Sequence, residues 1–168
     1  MNTPIETERK FLIRIPCIQV LERQEGLRIK HIVQTYLLTD DDSNARVRKI
    51  TEGEKISFVK TIKRRISTLS CYEEEYEISA EQYAEELKSS DTAKNAIEKT
   101  RYAFPFANHT VEIDIFPFWS DRALLEVELS SEDEGFSIPD FIEIIKEVSE
   151  DKRYKNTNLA LYVPVDNI

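Results

Sequence analysis

The chain has 168 residues, of which 40% are hydrophobic and 33% charged, and its net charge at pH 7 is −9. This length is typical of one domain with a substantial core, so we predict a single domain over residues 1–168. The acidic excess argues against a nucleic-acid partner, because proteins that bind nucleic acid generally track phosphates with clustered cations. No apolar run is long enough to span a membrane, and the N-terminal residues lack the apolar core of a signal peptide. We therefore expect a cytoplasmic protein with no membrane partner.

The cysteines and glycines argue against two further kinds of site. Cys17 and Cys71 have no metal-ligand spacing, so reduced structural thiols are expected rather than a disulfide or a zinc site. The three glycines form neither a phosphate-binding loop nor a dinucleotide fingerprint. Any bound phosphate must therefore be held by side chains.

Alternating polar and apolar residues predict eight β-strands along the chain. Turn-forming residues separate many of the strands, and the short gaps between them imply mostly antiparallel neighbours. The predicted strands cover residues 5–14, 31–39, 44–50, 56–64, 72–79, 98–104, 110–117 and 122–130.

Three amphipathic helices are predicted between and after these strands. The first is short, covers residues 16–25 and would be stopped by Gly26. The second covers residues 79–87 and opens with a Ser-x-x-Gln capping box. The third covers residues 139–150, where apolar residues recur at helical spacing. Each helix has one apolar face and is expected to cover the outside of a sheet.

Eight antiparallel strands can close into a barrel that holds packed side chains or one small ligand. A period of two places the charged residues of each strand on one face and the apolar residues on the other. The apolar face must be buried, so it would lie outside under the helices while the charged face lines the lumen. We therefore predict an α+β fold, namely a closed eight-stranded antiparallel β-barrel or tunnel with a charged lumen and about three covering helices.

The predicted lumen contains charges of both signs. Burying unpartnered charges costs several kcal/mol per ion, so solvent exposure or ligand binding explains them better than core stability. Convergent Arg and Lys side chains suit a compact polyanion, and carboxylates without nearby His or Cys suit Mg²⁺ or Mn²⁺. The cations are Lys10, Arg46, Arg48, Lys63, Lys99 and Arg101, and the anions are Glu6, Glu8, Glu73, Glu75, Glu112, Asp114, Glu126 and Glu128.

The order of these motifs resembles that of the CYTH superfamily, also called triphosphate tunnel metalloenzymes, and in particular its small bacterial members. The stretch Glu6-x-Glu8-x-Lys10 is similar to the N-terminal signature of the family, and the later motifs follow in family order over essentially the whole chain. These motifs are Gln34-Thr35-Tyr36-Leu37, Arg46-Val47-Arg48, Thr61-Ile62-Lys63, Glu73-x-Glu75, Lys99-Thr100-Arg101-Tyr102, Glu112-Ile113-Asp114, Glu126-Val127-Glu128 and Arg153-Tyr154-Lys155-Asn156-x-x-Leu159-Ala160.

The resemblance implies an enzyme that binds a small-molecule triphosphate with Mg²⁺ or Mn²⁺ in the tunnel and hydrolyses it. It implies catalytic roles for Lys10, Tyr36 and Lys63. Substrate binding would fall to Arg46, Arg48, Lys99, Arg101, Glu73 and Glu75. The metal ligands, or residues near them, would be Glu6, Glu8, Asp114, Glu126 and Glu128, with Glu112 in support.

Inorganic tripolyphosphate is the substrate we expect, bound by a monomer or homodimer. The alternatives are a class IV-type adenylate cyclase, a thiamine triphosphatase in which Trp119 stacks on an organic ring, and a polyphosphate- or nucleotide-binding module without turnover. Cys71 departs from the family, since small bacterial members often have an Arg two residues before the Glu73 position. Loss of that cation is expected to weaken binding or alter the choice of substrate. A nucleophilic role for Cys71 is disfavoured, because the carboxylates that follow it raise a thiol pKa.

Overall fold

A computed structural model describes residues 5–168, so the first four residues of the predicted domain lie outside the described residues. The strands are β1 (Ile5–Arg14), β2 (Arg28–Leu37), β3 (Asn44–Glu52), β4 (Lys55–Arg65), β5 (Ser70–Ile78), β6 (Ile97–Phe106), β7 (His109–Ile115), β8 (Arg122–Leu129) and β9 (Ile144–Glu147). The α-helices are α1 (Ile18–Leu21), α2 (Ala80–Glu86) and α3 (Asn156–Leu159), and short 3-10 turns cover Leu87–Ser89 and Lys152–Tyr154.

The sheet is antiparallel throughout and closes on itself. Its neighbours follow the order β5-β4-β3-β2-β6-β7-β8-β1, and residues 5–7 of β1 pair with residues 70–72 of β5 to close the ring. All eight predicted strands are present, with ends that differ by three residues or fewer. The predicted closed barrel is therefore confirmed, and β9 is an additional strand.

The predicted third helix is wrong. Residues 139–150 form turns and the short strand β9, which pairs with residues 11–13 of β1. The edge of β1 is free there because its pairing with β5 ends at Thr7. Backbone hydrogen bonding to that edge outweighs a helical spacing of apolar residues, as tertiary context often does with short segments.

The other two predicted helices are present in different lengths. α2 has the predicted capping box between Ser79 and Gln82 and packs Tyr83 over β3 and β4. The first helix is only one turn, ends at Leu21 and leaves Gly26, with φ +69°, in a later turn instead of at the helix end. The helix α3 near the C-terminus was not predicted.

Apolar residues bury the outer face of the barrel. Ile13, Ile113 and Val127 belong to a cluster that also includes Leu21 of α1 and Ile142 of the segment before β9. These side chains alternate along their strands with the charged residues of the inner face, as a period of two requires.

One end of the lumen is also apolar. Leu12, Ile97, Phe116 and Leu124 each lie two residues beyond a charged lumen residue, and they pack together in one buried cluster. The C-terminal segment completes this cluster, which we call the apolar plug, with Tyr154 and Leu159. The charged lining is therefore limited to one half of the lumen.

Trp119 packs in the apolar plug. It is 8% exposed and its ring meets that of Phe116 edge-on, with centroids 5.5 Å apart. The alternative in which Trp119 stacks on an organic ligand at the tunnel mouth is therefore wrong, because the side chain lies in the core.

Candidate functional site

The charged half of the lumen contains a cavity of about 720 Å³, which is within the usual range of small-ligand sites. The predicted site residues line this cavity, with two exceptions. Lys99 and Asp114 lie behind the lining, where they are 2% and 0% exposed. Candidate residues from all eight barrel strands therefore line one cavity.

The local structure explains why charged residues point inward. Arg46 and Arg48 flank Val47, which is fully buried on the outer face in the cluster with Tyr83 of α2. Fixing Val47 outside directs its two neighbours into the lumen, because successive strand residues point to opposite faces. The same alternation sets the other charged motifs.

Six residues on the side of the cavity formed by β1, β6, β7 and β8 form a network of ion pairs, and we call this network the paired wall. Arg101 is its centre: Nε and Nη2 donate to Asp114 at 2.6 and 2.7 Å, and Nη2 also donates to Glu126 at 2.8 Å. A further donor, Nη1, contacts Glu112. The paired wall consists of Lys10, Lys99, Arg101, Glu112, Asp114 and Glu126.

Two buried lysines complete the paired wall. Lys99 Nζ donates to Asp114 Oδ2 at 2.6 Å, and Lys10 Nζ lies 2.8 Å from Glu126 Oε1. Burial disfavours the ionised form of Asp114, but Arg101 and Lys99 outweigh it and hold the pKa of Asp114 below its ordinary value. Burial and the charge of Arg101 lower the pKa of Lys99 to about 8.

The opposite side, formed by β3, β4 and β5, is paired less completely, and we call it the open wall. It consists of Arg46, Arg48, Lys63, Glu73 and Glu75. Arg48 Nη2 donates to Glu75 and also, at 3.1 Å, to Thr61 Oγ1. Lys63 Nζ contacts Glu6 and lies 2.6 Å from Glu73. Burial and the adjacent Arg46 charge lower the pKa of Arg48 to about 10.

Arg46 is the exception among the cations of the cavity. Within residues 5–168 it makes no ion pair, and its Nε is buried without a hydrogen-bond partner. Its Cα partner across β2 and β3 is Tyr36, which is 2% exposed and lines the cavity. Burial lowers the pKa of Arg46, but Tyr36, Glu73 and Glu6 raise it overall without forming an ion pair, so the guanidinium keeps donors for an anionic ligand.

Carboxylates are in excess at the position where β1 meets β8. Glu8 and Glu128 are Cα partners across these strands, and Glu112 and Glu126 are partners across β7 and β8. Burial and the neighbouring carboxylates, Glu6 foremost, raise the pKa of Glu128. Like charges directly opposite each other are destabilising, and a bound cation would remove that repulsion.

This donor set fits a hard divalent cation. In the described part of the chain, no three acidic, histidine or cysteine side chains already converge on one point in coordination geometry. The available ligands are nevertheless carboxylates, with no His or Cys among them. Carboxylate oxygens are the ligands that Mg²⁺ and Mn²⁺ prefer. Glu128 is available because it makes no ion pair with any residue from 5 to 168.

Cys71 lies at the edge of the cavity beside Glu6. Its Sγ donates to Glu6 Oε2 at 3.3 Å, and burial together with Glu6 raises the pKa of the thiol to about 12. A protonated thiol at neutral pH is a poor nucleophile. Arg65 is the Cα partner of Cys71 across β4 and β5 and also lines the cavity, which places a cation next to the position that lacks one.

The structure adds cavity-lining residues that were not singled out from the sequence. Two of them are the cations Arg65 and Lys30. Lys155 and Asn156 come from the tail that packs against the apolar plug. The tail motif was visible in the family resemblance, but its position against the cavity depends on tertiary packing.

Among residues 5–168, no helix is long and apolar enough to cross a bilayer.

Comparison with known proteins agrees with this geometry. An inorganic triphosphatase of Acetivibrio thermocellus is 33% identical over 156 residues, which cover 92% of each chain. One of Nitrosomonas europaea is 35% identical over 164 residues, or 95% of this chain and 99% of the relative. A solved structure of an inorganic triphosphatase aligns with a TM-score of 0.58 and 32% identity over 95% of this chain and 96% of its own. The CYTH domain model matches residues 4–160, and the chain belongs to the CYTH domain family.

Proposed function

We propose that this chain hydrolyses inorganic tripolyphosphate with the help of Mg²⁺ or Mn²⁺. The observation that carries the proposal is a cavity in which Arg46 makes no ion pair with any residue from 5 to 168, while two carboxylates, Glu8 and Glu128, lie directly opposite each other on neighbouring strands. A polyphosphate with a divalent metal ion satisfies both at once. The names of the two triphosphatase relatives support the same reaction.

The cations of the open wall bind the polyphosphate in this proposal. Arg46 and Arg48 offer guanidinium donors in the fork geometry that suits phosphate oxygens, and Lys63 adds a point charge. Glu73 and Glu75 act on the substrate indirectly, through the ion pairs that they form with Lys63 and Arg48. Arg101 presents its charge from the paired wall, with Lys99 behind it.

The carboxylates Glu6, Glu8, Glu112 and Glu128 would hold the metal ion. When bound, the metal polarises a phosphoryl oxygen and lowers the pKa of a coordinated water. Asp114 and Glu126, the other predicted ligands, engage Lys99, Arg101 and Lys10 in this arrangement and orient those cations.

The reaction itself requires electrostatic stabilisation and one proton acceptor. Water attacks the terminal phosphorus, the bridging P–O bond breaks, and diphosphate leaves with the bond's electron pair. Lys10, Lys63 and the Tyr36 hydroxyl, which line the cavity together, stabilise the charge on the transferred group and on the leaving diphosphate. One of the carboxylates Glu6 and Glu8 accepts the proton from the attacking water.

The experiment is a comparison of phosphate release from tripolyphosphate, ATP and thiamine triphosphate, each with Mg²⁺, Mn²⁺ or EDTA. We expect metal-dependent turnover that is fastest on tripolyphosphate. Faster turnover of an organic triphosphate would reassign the substrate. Cyclic AMP formation from ATP would indicate a cyclase, and no turnover of any substrate by folded, metal-loaded protein would indicate a binding module.

The compartment and assembly are also part of the proposal. Cys17 and Cys71 are both free thiols, as expected in a reducing cytoplasm. The cavity is lined by residues of one chain, so a monomer is sufficient for binding and a homodimer is compatible with it.

A further inference from the structure

Gln34 is a fully buried polar residue directly behind the cavity. Its side chain is 0% exposed, and it is not among the residues that line the cavity. Its Nε2 donates a hydrogen bond of 2.7 Å to the hydroxyl of Tyr36, which does line the cavity. Both residues lie on β2, two positions apart, so their side chains share the inner face.

The hydroxyl hydrogen of Tyr36 has no acceptor among residues 5–168. A phenol has one hydrogen to donate, and its oxygen can accept. Because the Gln34 amide donates, it occupies an accepting position of the oxygen and does not take the hydrogen. The charged groups that act on this hydroxyl are Arg46, Lys10 and Lys63, all cations that cannot accept a hydrogen bond.

The carbonyl oxygen of the Gln34 amide also indicates that this side chain acts on Tyr36. Its Oε1 is buried and has no hydrogen-bond partner within residues 5–168. An unpartnered buried acceptor lowers stability, and an apolar side chain of similar size would avoid that cost. The polar side chain is therefore explained by what its nitrogen does for the tyrosine.

We propose that Gln34 is a positioning residue that fixes the Tyr36 hydroxyl as a hydrogen-bond donor to a phosphate oxygen of the bound triphosphate. The inference rests on the proposed function, because it assumes a polyphosphate in the cavity. With the amide in place, the hydroxyl hydrogen points to the cavity. Without the amide, the hydroxyl rotates freely and must be ordered each time a substrate binds.

A double-mutant cycle tests this coupling. The variants are Gln34→Met, Tyr36→Phe and the double variant, and the measurement is kcat/KM for tripolyphosphate at fixed Mg²⁺. We expect Gln34→Met to lower kcat/KM on the order of tenfold in the wild-type background, as for loss of one oriented hydrogen bond. In the Tyr36→Phe background the same change should have an effect of less than about twofold, because the group it orients is gone.

The matched control is Gln82→Met, which removes another hydrogen-bonded glutamine. Gln82 belongs to the capping box of α2 on the outside of the barrel. This variant should lower the melting temperature slightly and leave kcat/KM unchanged. A purely structural role of Gln34 would make the two glutamine variants behave alike.

Three results would overturn the inference. One is an equal loss from Gln34→Met in both backgrounds, and another is no loss in either. The third is wild-type kcat/KM in Gln34→Glu, because a carboxylate at position 34 would take the hydroxyl hydrogen for itself. Gln34→Glu also replaces Gln34→Met in the cycle if the methionine variant does not fold.

Failure of the proposed function is distinguishable from failure of this inference. Absence of wild-type turnover would refute the triphosphatase proposal alone. The cycle would then be measured as the Kd for tripolyphosphate with Mg²⁺ by calorimetry. Coupling between positions 34 and 36 in Kd would support the inference, and additive effects or absence of binding would refute it.

Discussion

The paired wall and the open wall of the cavity contain the same kinds of residue but neutralise their charges to different extents. On the paired wall, Arg101 contacts three carboxylates and Lys99 is bonded to the fully buried Asp114. On the open wall, Arg46 has no ion pair with any residue from 5 to 168, and the Arg48 partner Glu75 is 46% exposed. The contrast lies in the partners and not in the residue types.

This difference separates two roles for buried cations. A cation that is matched by several carboxylates has recovered its desolvation cost within the protein, and its removal leaves those carboxylates uncompensated. A cation without an ion pair keeps donors that no carboxylate occupies, so binding of an anion stabilises it further. The paired wall therefore contributes more to stability than the open wall, and the open wall retains more capacity to bind an anion.

The strongest test of this comparison is Arg46→Met. We expect kcat/KM for tripolyphosphate to fall by a factor of about 10³, because the variant removes a cation aimed at the transferred phosphoryl group. The melting temperature should change little, since Arg46 makes no ion pair with any residue from 5 to 168. Phosphate release and thermal denaturation measure the two effects.

Arg64→Met is the matched control for Arg46→Met. Arg64 is also on an open-wall strand, β4, but its side chain is 52% exposed and pairs at 3.5 and 3.8 Å with Glu74 and Asp41. Its kcat/KM should be unchanged. A loss of stability in Arg46→Met as large as the loss of activity would contradict the assignment of Arg46 to ligand binding.

The next effect in size is expected from Arg101→Met. It leaves Glu112, Asp114 and Glu126 without their shared partner, so the free energy of unfolding should fall by about 3–5 kcal/mol. Denaturant unfolding with tripolyphosphate absent measures this change. Arg28→Met, which breaks the exposed ion pair with Glu52, is the control and should have little effect. Stability equal to wild type in Arg101→Met would remove the distinction between the two walls.

Sequence periodicity predicted which residues face the lumen but not how they pair. Strict alternation, as in Arg46-Val47-Arg48, determines the face of a strand residue from local information alone. Pairing depends on cross-strand neighbours far apart in the chain, such as Lys10 with Glu126. No local pattern could therefore distinguish Arg46 from Arg101.

The regions that were missed share the same cause. β9 forms because β1 has a free edge beyond Thr7, where its pairing with β5 ends, and that limit depends on the pairing of strands far apart in the chain. The apolar plug combines strand residues such as Leu12 with Tyr154 of the C-terminal segment. The sequence does contain both sets of apolar residues, but their contact is non-local.

A smaller effect that refines the comparison is expected from Glu75→Gln. The variant breaks the ion pair of Arg48 and removes one negative charge from the open wall. The KM for tripolyphosphate should therefore fall by up to about fivefold, which corresponds to the free energy of a half-exposed ion pair. Glu77→Gln is the control, because Glu77 is on the same face of β5 but does not line the cavity. A higher KM in Glu75→Gln would show that orientation of Arg48 by Glu75 matters more than competition with the substrate.

The smallest effect is expected from Cys71→Ser. The thiol donates to Glu6 and its pKa is raised to about 12, so it is protonated at neutral pH and a hydroxyl can replace it as a donor. We expect kcat/KM within about twofold of wild type, as for other near-isosteric substitutions. Cys71→Arg is the more informative variant at this position, because it places a second guanidinium beside that of Arg65. A gain in tripolyphosphate affinity there would show that the open wall can use another cation, and a loss would show that Arg65 already fills that role.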